Sequence, residues 1–286
     1  MMNKTVSVIT RTKDRAIFLE RVFTSVIEQS YRPIEWVLVN DGGNSPSHTI
    51  ETLQQKYRDK LVDVSVKIVE RTVSTTMEAA ANAGISIASG EYVVLLDDDD
   101  TWKSTFLEQC INYMEEHTDS NEAGVVTQTE QVVECFEDGQ IKQIDNYLFN
   151  PNLFSIDLVM LGRVNQFTTH SFVYKKIAWE ALGGYDESLP VQGDWEFNLR
   201  FLSKYDVGVI PEPLANYHIR RCENTDHSNT ITNKALHAKY ESGLFKINAL
   251  KGKISSLVRE ISNYEISTSW RITKPLRKIK QILKGN

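Results

Sequence analysis

Four short apolar segments alternate with three amphipathic ones over the first hundred residues, and this alternation constrains the fold more than any other feature. In the first amphipathic segment, Phe18, Val22 and Val26 recur every four residues, as on one face of a helix. Apolar strands that alternate with helices favour a mostly parallel sheet covered on both faces, with right-handed crossovers. The predicted fold class is therefore α/β and Rossmann-like. The predicted strands are 6–9, 36–39, 62–69 and 92–96, and the predicted helices are 15–29, 47–57 and 74–88.

Polar clusters follow three of these four predicted strands. They are TRTKDR (residues 10–15), NDGG (40–43) and DDDDTW (97–102). Ligands of open α/β sheets bind outside the carboxyl ends of the strands. The three clusters therefore predict one binding site at that edge of the sheet.

Four consecutive aspartates, Asp97 to Asp100, come directly after the apolar run 92–96. Four carboxylates repel one another, and a solvated surface loop is one explanation for such a run. In an extended segment alternate residues point the same way, so Asp97 and Asp99 would share one face. A divalent cation such as Mg²⁺ or Mn²⁺ prefers oxygen ligands and completes its shell with water and substrate phosphates. The alternative explanation is therefore a metal site that binds a nucleoside diphosphate.

Four stretches of the chain together resemble the family-two glycosyltransferases of GT-A fold. The resemblance extends over about residues 4–220 and implies a GT-A domain at 1–225, followed by a helical extension with a basic tail at 226–286. The stretches occur in the family's order and spacing: VSVITRTKDR (6–15), EWVLVNDGG (35–43), AANAGISIASGEYVVLLDDDDTW (80–102) and GGYDESLPVQGDWEFNLRF (183–201).

The resemblance implies a role in donor binding for each residue that matches a family motif. Asp97 would contact the ribose or uridine, Asp99 would ligate the metal, and Asp98 and Asp100 would support them. Uridine is the default base of the family, and thymidine stays open. The remaining residues implied at the donor are Thr10 and Arg15 beside the nucleoside, Asp41 at the base and Asn82 on the third helix.

Two further positions differ from the family pattern on the donor side. The family commonly has an arginine before Asn82, where this chain has Ala81, and Arg71 is a candidate substitute. His218 and Arg220 lie where relatives carry a loop that can close over the donor, so they are candidates for diphosphate contact, although a lone histidine is more often structural.

Asp194 begins the segment Gly193-Asp194-Trp195, where the family pattern is Glu-Asp-Trp. From the sequence alone an aspartate at this place is expected to be the N-cap of a helix. The resemblance implies that it is also the general base that deprotonates the acceptor hydroxyl, with Glu196 as the second candidate. The implied reaction is a single inverting displacement, which needs no covalent nucleophile.

Three cysteines, Cys110, Cys135 and Cys222, show no metal-binding spacing and are expected to be reduced thiols of a cytosolic protein. No stretch approaches the roughly 18 apolar residues that span a bilayer. We therefore expect a cytoplasmic protein without a membrane span.

The last sixty residues show a heptad pattern and then a basic tail. Apolar or small residues recur in alternating steps of four and three from 236 to 264, so that residues 231–268 predict either a coiled coil in a homodimer or a helix docked on the catalytic domain. Residues 271–286 hold six basic and no acidic residues, whereas the rest of the chain has a net charge of −12. Such a tail indicates contact with an anionic membrane, or else a solvated helix end.

Residues 269–277 (SWRITKPLR) resemble the tail of bacterial surface-polysaccharide glycosyltransferases. The resemblance implies a lipid-linked saccharide acceptor at the inner face of the plasma membrane, in O-antigen or capsule assembly. The complete prediction is a metal-dependent inverting glycosyltransferase that adds one sugar from a nucleoside-diphosphate donor, most simply a UDP-sugar. A sugar-1-phosphate nucleotidyltransferase and a non-catalytic binding protein are the alternatives, and a net charge of −6 gives no indication of nucleic-acid binding.

Overall fold

The computed structural model describes residues 3–118, 121–137 and 140–220, together with Leu257, Arg259 and Glu260. The chain divides into two units, 1–243 and 244–286. The basic tail and all but three residues of the heptad segment lie outside the described residues, so the predictions about a coiled coil, a dimer and a membrane contact stay predictions. The domain boundary between 225 and 226 also stays a prediction.

All seven elements predicted for the first hundred residues are present in the structure. The first two strands are longer than predicted because β1 and β2 continue into the polar residues that follow their apolar cores. The elements are β1 (Val6–Thr12), α1 (Ala16–Ile27), β2 (Ile34–Asp41), α2 (Ser47–Lys56), β3 (Val64–Arg71), α3 (Met77–Ile87) and β4 (Tyr92–Leu95).

The first four strands form a parallel sheet in the order β3-β2-β1-β4. In its register Val8 lies opposite Trp36 on one side and Val94 on the other, and all three are fully buried. Residues of α1, including Phe23 and Val26, pack on this layer, where the ring of Phe23 meets Trp36 edge-on at 5.4 Å. The Rossmann-like half of the prediction is therefore confirmed.

The second half of the sheet is mixed. Its elements are β5 (Thr101–Trp102), α4 (Phe106–Glu116), β6 (Glu122–Glu137), β7 (Gln140–Leu148), α5 (Leu158–Leu161), β8 (Phe172–Lys175), α6 (Lys176–Leu182), α7 (Gly193–Lys204) and β9 (Asp206–Arg220). The path of the sheet continues from β4 as β8-β6-β9-β5, with β7 paired to β6. β8 lies antiparallel to β4 and β6, whereas the long strands β6 and β9 pair in parallel. The predicted α/β fold class is therefore confirmed.

The long strands β6 and β9 connect the second half of the sheet to the aspartate edge of the first half. β6 and β9 run parallel from Glu122 beside Asp206 to Glu134 beside Arg220, with register shifts on the way. The end of β9 therefore returns to the edge where β1 and β4 end, and this pairing brings His218 and Arg220 to the aspartates.

Cys135, on β6, is disulfide-bonded, whereas Cys110 is a free and buried thiol on α4. The prediction of three reduced thiols is therefore wrong for Cys135, because the number and spacing of cysteines along a chain do not show which of them form disulfides. No helix in the described part of the chain combines the length and apolar character that a bilayer span requires.

Candidate active site

The aspartate run turns sharply as it leaves β4. The backbone N–H of Asp100 donates to the carbonyl of Asp97 at 3.1 Å, and β5 follows at once. Because of this turn the expected alternation of faces does not hold. Asp98, Asp99 and Asp100 are only 2–6% exposed, whereas the side chain of Asp97 retains 33% of its exposure.

Each of the four carboxylates faces a basic side chain from another element. Arg11 on β1 bonds Asp97, with its Nε 3.1 Å from Oδ1. Arg15, at the start of α1, bridges the next two residues, at 2.7 Å from Asp98 and 2.6 Å from Asp99. The remaining pairs are Arg220 with Asp99, and His170 with Asp100 at 3.0 Å.

The pKa values of two neighbouring carboxyls in the run, those of Asp98 and Asp99, are shifted in opposite directions. Burial raises the pKa of Asp98, and Arg15 does not offset it. Burial would also raise the pKa of Asp99, but Arg15 and Arg220 outweigh it and lower that pKa. Asp99 is therefore held as a carboxylate, the form that a cation needs.

The carboxylates that remain open fit a divalent cation supported by a donor. The described residues include no group of three or more His, Cys, Asp or Glu side chains placed to hold a metal by themselves. Among the described residues, the arginine hydrogen bonds to Asp97 fall on Oδ1 and those to Asp99 on Oδ2, so these arginines do not use the other oxygen of each carboxylate. One or two carboxylates completed by phosphate oxygens and water are a usual set for Mg²⁺.

Asp41, predicted at the base of the nucleoside, forms an ion pair with Arg71, the candidate substitute for the family's arginine, at the ends of β2 and β3. Ser74 also donates to Asp41, at 2.7 Å. Thr10, by contrast, does not reach the site. It is fully buried, and its hydroxyl accepts the indole N–H of Trp36 at 2.9 Å.

The side chain of Asn82 binds the loop that follows α6. Its oxygen accepts the N–H of Tyr185 and its amide donates to the carbonyl of the same residue, both at 2.9 Å. A third bond reaches Glu187 at 2.9 Å. The role in donor binding that the resemblance implies for Asn82 stays a prediction.

Asp194 lies in the first turn of α7 but does not cap it. The N-cap residue is Gln192, in a left-handed conformation with φ of 63° and without a side-chain cap. Asp194 instead accepts a hydrogen bond from the hydroxyl of Thr169 at 2.9 Å and a longer one from Asn165 at 3.5 Å. The N-cap prediction is therefore wrong, because the helix begins two residues earlier than a cap at Asp194 requires. The carboxylate of Asp194 is half-buried and does not cap the helix.

Glu196, the second candidate base, is buried and bound by Arg200 through both of its oxygens, at 2.5 and 2.6 Å. Arg200 also donates to the carbonyls of Leu182 and Gly184. This pair fastens α7 to the end of α6, and Glu196 therefore has a structural role.

His218 belongs to a buried polar network beside the aspartates. Its Nδ1 lies 2.7 Å from Glu134, its Nε2 lies 2.9 Å from the hydroxyl of Thr101, and its backbone N–H donates to Asp100. Arg21 of α1 donates to Glu134 and to the carbonyl of Asp99. His218 therefore holds the aspartate loop through its backbone bond to Asp100, whereas the side chain of Arg220 forms an ion pair with Asp99.

Two consecutive residues before β8 contact both sets of carboxylates. The hydroxyl of Thr169 donates to Asp194 at 2.9 Å, and Nδ1 of His170 lies 3.0 Å from Asp100. The ring of Tyr217 on β9 lies 5.9 Å from that of His170. Burial raises the pKa of the Tyr217 hydroxyl, and the charges of Asp100, Asp99, Asp97 and Asp194 raise it further.

Sequence reasoning missed several residues of this site, among them Arg11, Arg21, Glu134, His170 and Tyr217. Arg11 was visible in the polar cluster after β1. Arg21 lies on the predicted first helix, where nothing in the sequence marks it as part of the site. Glu134, His170 and Tyr217 lie in the second half of the fold, whose packing against the Rossmann-like half had no sequence signal.

A Rossmann-like sheet with an acidic run after β4 and a second acid on a later helix defines a protein of the GT-A architecture. The family model "Glycosyl transferase family 2" matches residues 7–178. The chain belongs to this family, and the predicted resemblance is confirmed.

A relative and two solved structures indicate how far the similarity extends. The amylovoran biosynthesis glycosyltransferase AmsB of Erwinia amylovora is 23% identical over 239 residues, which are 83% of this chain and 74% of AmsB. TarS 1-349 of S. aureus, solved with UDP-GlcNAc, has a TM-score of 0.60 at 16% identity over 79% of this chain. This chain spans 61% of the TarS chain.

The mannosyltransferase PcManGT of Pyrobaculum calidifontis, solved with GDP-Man and Mn²⁺, gives a TM-score of 0.56 at 16% identity. The match covers 95% of this chain and 83% of PcManGT. At this identity the similarity establishes the GT-A fold, as predicted.

Proposed function

We propose that this chain transfers one sugar, with inversion, from a nucleoside-diphosphate sugar to a lipid-linked saccharide in the assembly of a bacterial surface polysaccharide. The observation that carries the proposal is the pair of consecutive residues Thr169 and His170, because Thr169 bonds the candidate base Asp194 and His170 contacts Asp100 of the aspartate run. Family membership supports the sugar transfer, and the similarity to AmsB, a glycosyltransferase of amylovoran biosynthesis, supports a polysaccharide product.

On the donor side, Asp99 would hold a divalent cation through the oxygen that the arginines leave open, and Asp97 would contact the ribose. When bound, the cation supplies positive charge that stabilises the departing diphosphate. The structures with UDP-GlcNAc and with GDP-Man and Mn²⁺ support a nucleotide-sugar donor and a metal. Asp41 and Arg71, at the ends of β2 and β3, would border the base, with a UDP-sugar as the first donor to test.

On the acceptor side, Asp194 would remove the proton of the acceptor hydroxyl. The acceptor oxygen then forms a bond to the anomeric carbon of the donor as the bond from that carbon to the diphosphate breaks, and the nucleoside diphosphate departs. Thr169 and Asn165 hold the carboxylate of Asp194, so that its position does not depend on helix capping.

For the acceptor lipid, we extend the proposal to the basic residues 271–286, which would bring the protein to the inner face of the plasma membrane. The charge difference between this tail and the acidic remainder of the chain supports such a contact. The tail would hold the catalytic domain next to its substrate without entering the bilayer.

A donor panel with Mn²⁺ or Mg²⁺, assayed for released nucleoside diphosphate with and without a saccharide acceptor, tests the proposed function. Acceptor-dependent release with one donor is the expected result, and NMR of the product should show an inverted anomeric configuration. Release of pyrophosphate from a nucleoside triphosphate and a sugar phosphate would identify a nucleotidyltransferase instead. Donor binding without any turnover would identify a binding protein.

A further inference from the structure

Glu78 is a buried glutamate in the first turn of α3. The proposed mechanism gives it no role. Glu78 is 3% exposed. Its Oε1 accepts the backbone N–H of Gly193 at 3.1 Å, across 115 residues of sequence. Its Oε2 is buried without a hydrogen-bond partner in the described part of the chain. A buried carboxyl oxygen without a partner is costly, so a structural role alone explains the residue poorly.

Gly193 leaves the room that this carboxyl fills. A Cβ at position 193 would lie 2.2 Å from both Cγ and Oε1 of Glu78, which is inside van der Waals contact. The backbone of Gly193 is not among those with positive φ, so glycine is needed here for its size and not for its conformational freedom. Glu78 and a side chain at 193 therefore exclude each other.

The contact falls directly beside the candidate base. Gly193 lies between Gln192, the left-handed N-cap residue, and Asp194. The hydrogen bond from Gly193 to Glu78 therefore fixes the peptide that orients Asp194. A left-handed non-glycine residue costs of the order of 1 kcal/mol and needs such support from its surroundings.

Burial raises the pKa of Glu78 above its ordinary value. The positive charge of Arg11 on β1 acts in the opposite direction, and the negative charge of Asp194 raises the pKa further. Glu78 is therefore close enough to the candidate base and to a donor-side arginine to feel the charge of both.

We propose that Glu78 is a positioning residue for Asp194, and that it supplies from α3 the carboxyl which the family pattern carries at position 193. The inference rests on the proposed function, in which Asp194 is the base. It explains together why residue 193 is glycine, why α3 begins with a buried acid and why that acid reaches a distant helix.

Steady-state kinetics of Glu78 variants test the role in catalysis. E78A should lower kcat about tenfold or more, since small displacements of catalytic groups are costly, while KM for the donor stays within about twofold. E78Q keeps the acceptor oxygen and should retain most of kcat. The exchange variant E78A/G193E returns a carboxyl to the same space and should recover kcat above that of E78A. I87A, on an exposed position of α3, is the control and should match the wild type.

Thermal unfolding tests the contact without any need for turnover. G193A should lower the melting temperature in the wild-type background, where the new Cβ meets Glu78, and should lower it less or raise it in the E78A background. Equal effects of G193A in both backgrounds would overturn the proposed contact. Wild-type kcat in a folded E78A would overturn the positioning role. A wild type that transfers no sugar would contradict the proposed function, while the two melting-temperature differences would still decide the contact.

Discussion

Two buried glutamates at opposite ends of the parallel strands differ in how fully their carboxyl oxygens are hydrogen-bonded. Glu35 lies on β2 near its start and is bonded by Ser7, Ser89 and Lys67, so both of its oxygens have partners. Glu78 lies beside the carboxyl ends of the strands and leaves one oxygen without a partner.

The contrast extends to the protonation of the two residues. Burial would raise the pKa of Glu35, but the hydrogen bonds from Lys67, Ser7 and Ser89 outweigh it and lower that pKa to about 2. The pKa of Glu78 is instead raised, by burial and by a neighbouring carboxylate. A satisfied charge at one edge stabilises the fold, whereas crowded acids at the other edge are typical of a functional site.

The largest effect is expected for Asp194→Asn at the carboxyl edge. Asparagine keeps the shape of the side chain and an acceptor for Thr169 but cannot take a proton. We expect kcat to fall by roughly 10²–10⁴-fold with donor affinity nearly unchanged, as measured by turnover and by donor titration.

Glu196→Gln is the matched control for that variant, because it lies on the same helix and breaks the pair with Arg200 instead. It should lower the melting temperature and leave kcat close to wild type. If Asp194→Asn keeps wild-type turnover and Glu196→Gln does not, the base has been assigned to the wrong residue.

Asp99→Ala should abolish metal-dependent donor binding and also destabilise the protein. Asp99 is buried and shared by Arg15 and Arg220, so its removal takes a carboxylate from both arginines, although Arg15 keeps its bond to Asp98. Breaking a buried pair in this way costs about 3 kcal/mol.

Titration calorimetry with a nucleoside diphosphate and Mn²⁺, together with urea unfolding, measures both consequences of Asp99→Ala. Asp59→Ala, at a side chain that is 93% exposed, is the control and should change neither. Undiminished metal-dependent binding would remove Asp99 from the site.

At the amino edge, Glu35 should make stability depend on pH in the acid range. Its folded pKa of about 2 lies below its ordinary value of 4.5. Its contribution is therefore complete above about pH 4.5 and is lost as the pH falls towards 2. The loss should reach up to about 3 kcal/mol.

Chemical denaturation at pH 7 and pH 3, for wild type and Glu35→Gln, isolates this contribution. The variant should be less stable at pH 7 and lose less on acidification, with kcat at neutral pH unchanged. A fall in kcat without unfolding would mean that the two edges are not separate in function.

Removing residues 271–286 should have the smallest effect on the sheet, because these residues include none of the groups of either edge. Transfer to a short soluble acceptor should persist. Binding to anionic liposomes should fall strongly at low salt, since each basic residue contributes about 1 kcal/mol near an anionic leaflet, and the difference should shrink at high salt. Equal binding by both forms at low salt would exclude the tail as the membrane contact.

The parallel half of the fold could be predicted because its signals are local. Apolar strands and periodic helices specify β1 to β4, and the polar clusters mark their carboxyl ends. The mixed half could not be predicted in the same way, since the pairing of β6 with β9 depends on tertiary packing and not on periodicity.

The site shows the same division between local and long-range information. Asp97, Asp99 and Asp194 could be chosen from motifs, but their partners come from other elements. Thr10, implied at the nucleoside, lies within β1 and faces the core, where its hydroxyl accepts the indole N–H of Trp36, and its role in donor binding stays a prediction. Glu78 belongs to no motif that the sequence shows. The only related sequence feature is Gly193, which stands where the family pattern has a glutamate.

The return of β9 to the aspartate run also bears on the synthesis of the protein. Arg220 follows Asp99 by 121 residues in the chain. At about 5–20 residues per second, Asp99 is synthesised roughly 6–24 s before this counter-charge. Until then the nascent chain carries the acidic run with the arginines of its amino-terminal half and, later, with His170, so the donor edge reaches its final electrostatic balance only after β9 has been translated.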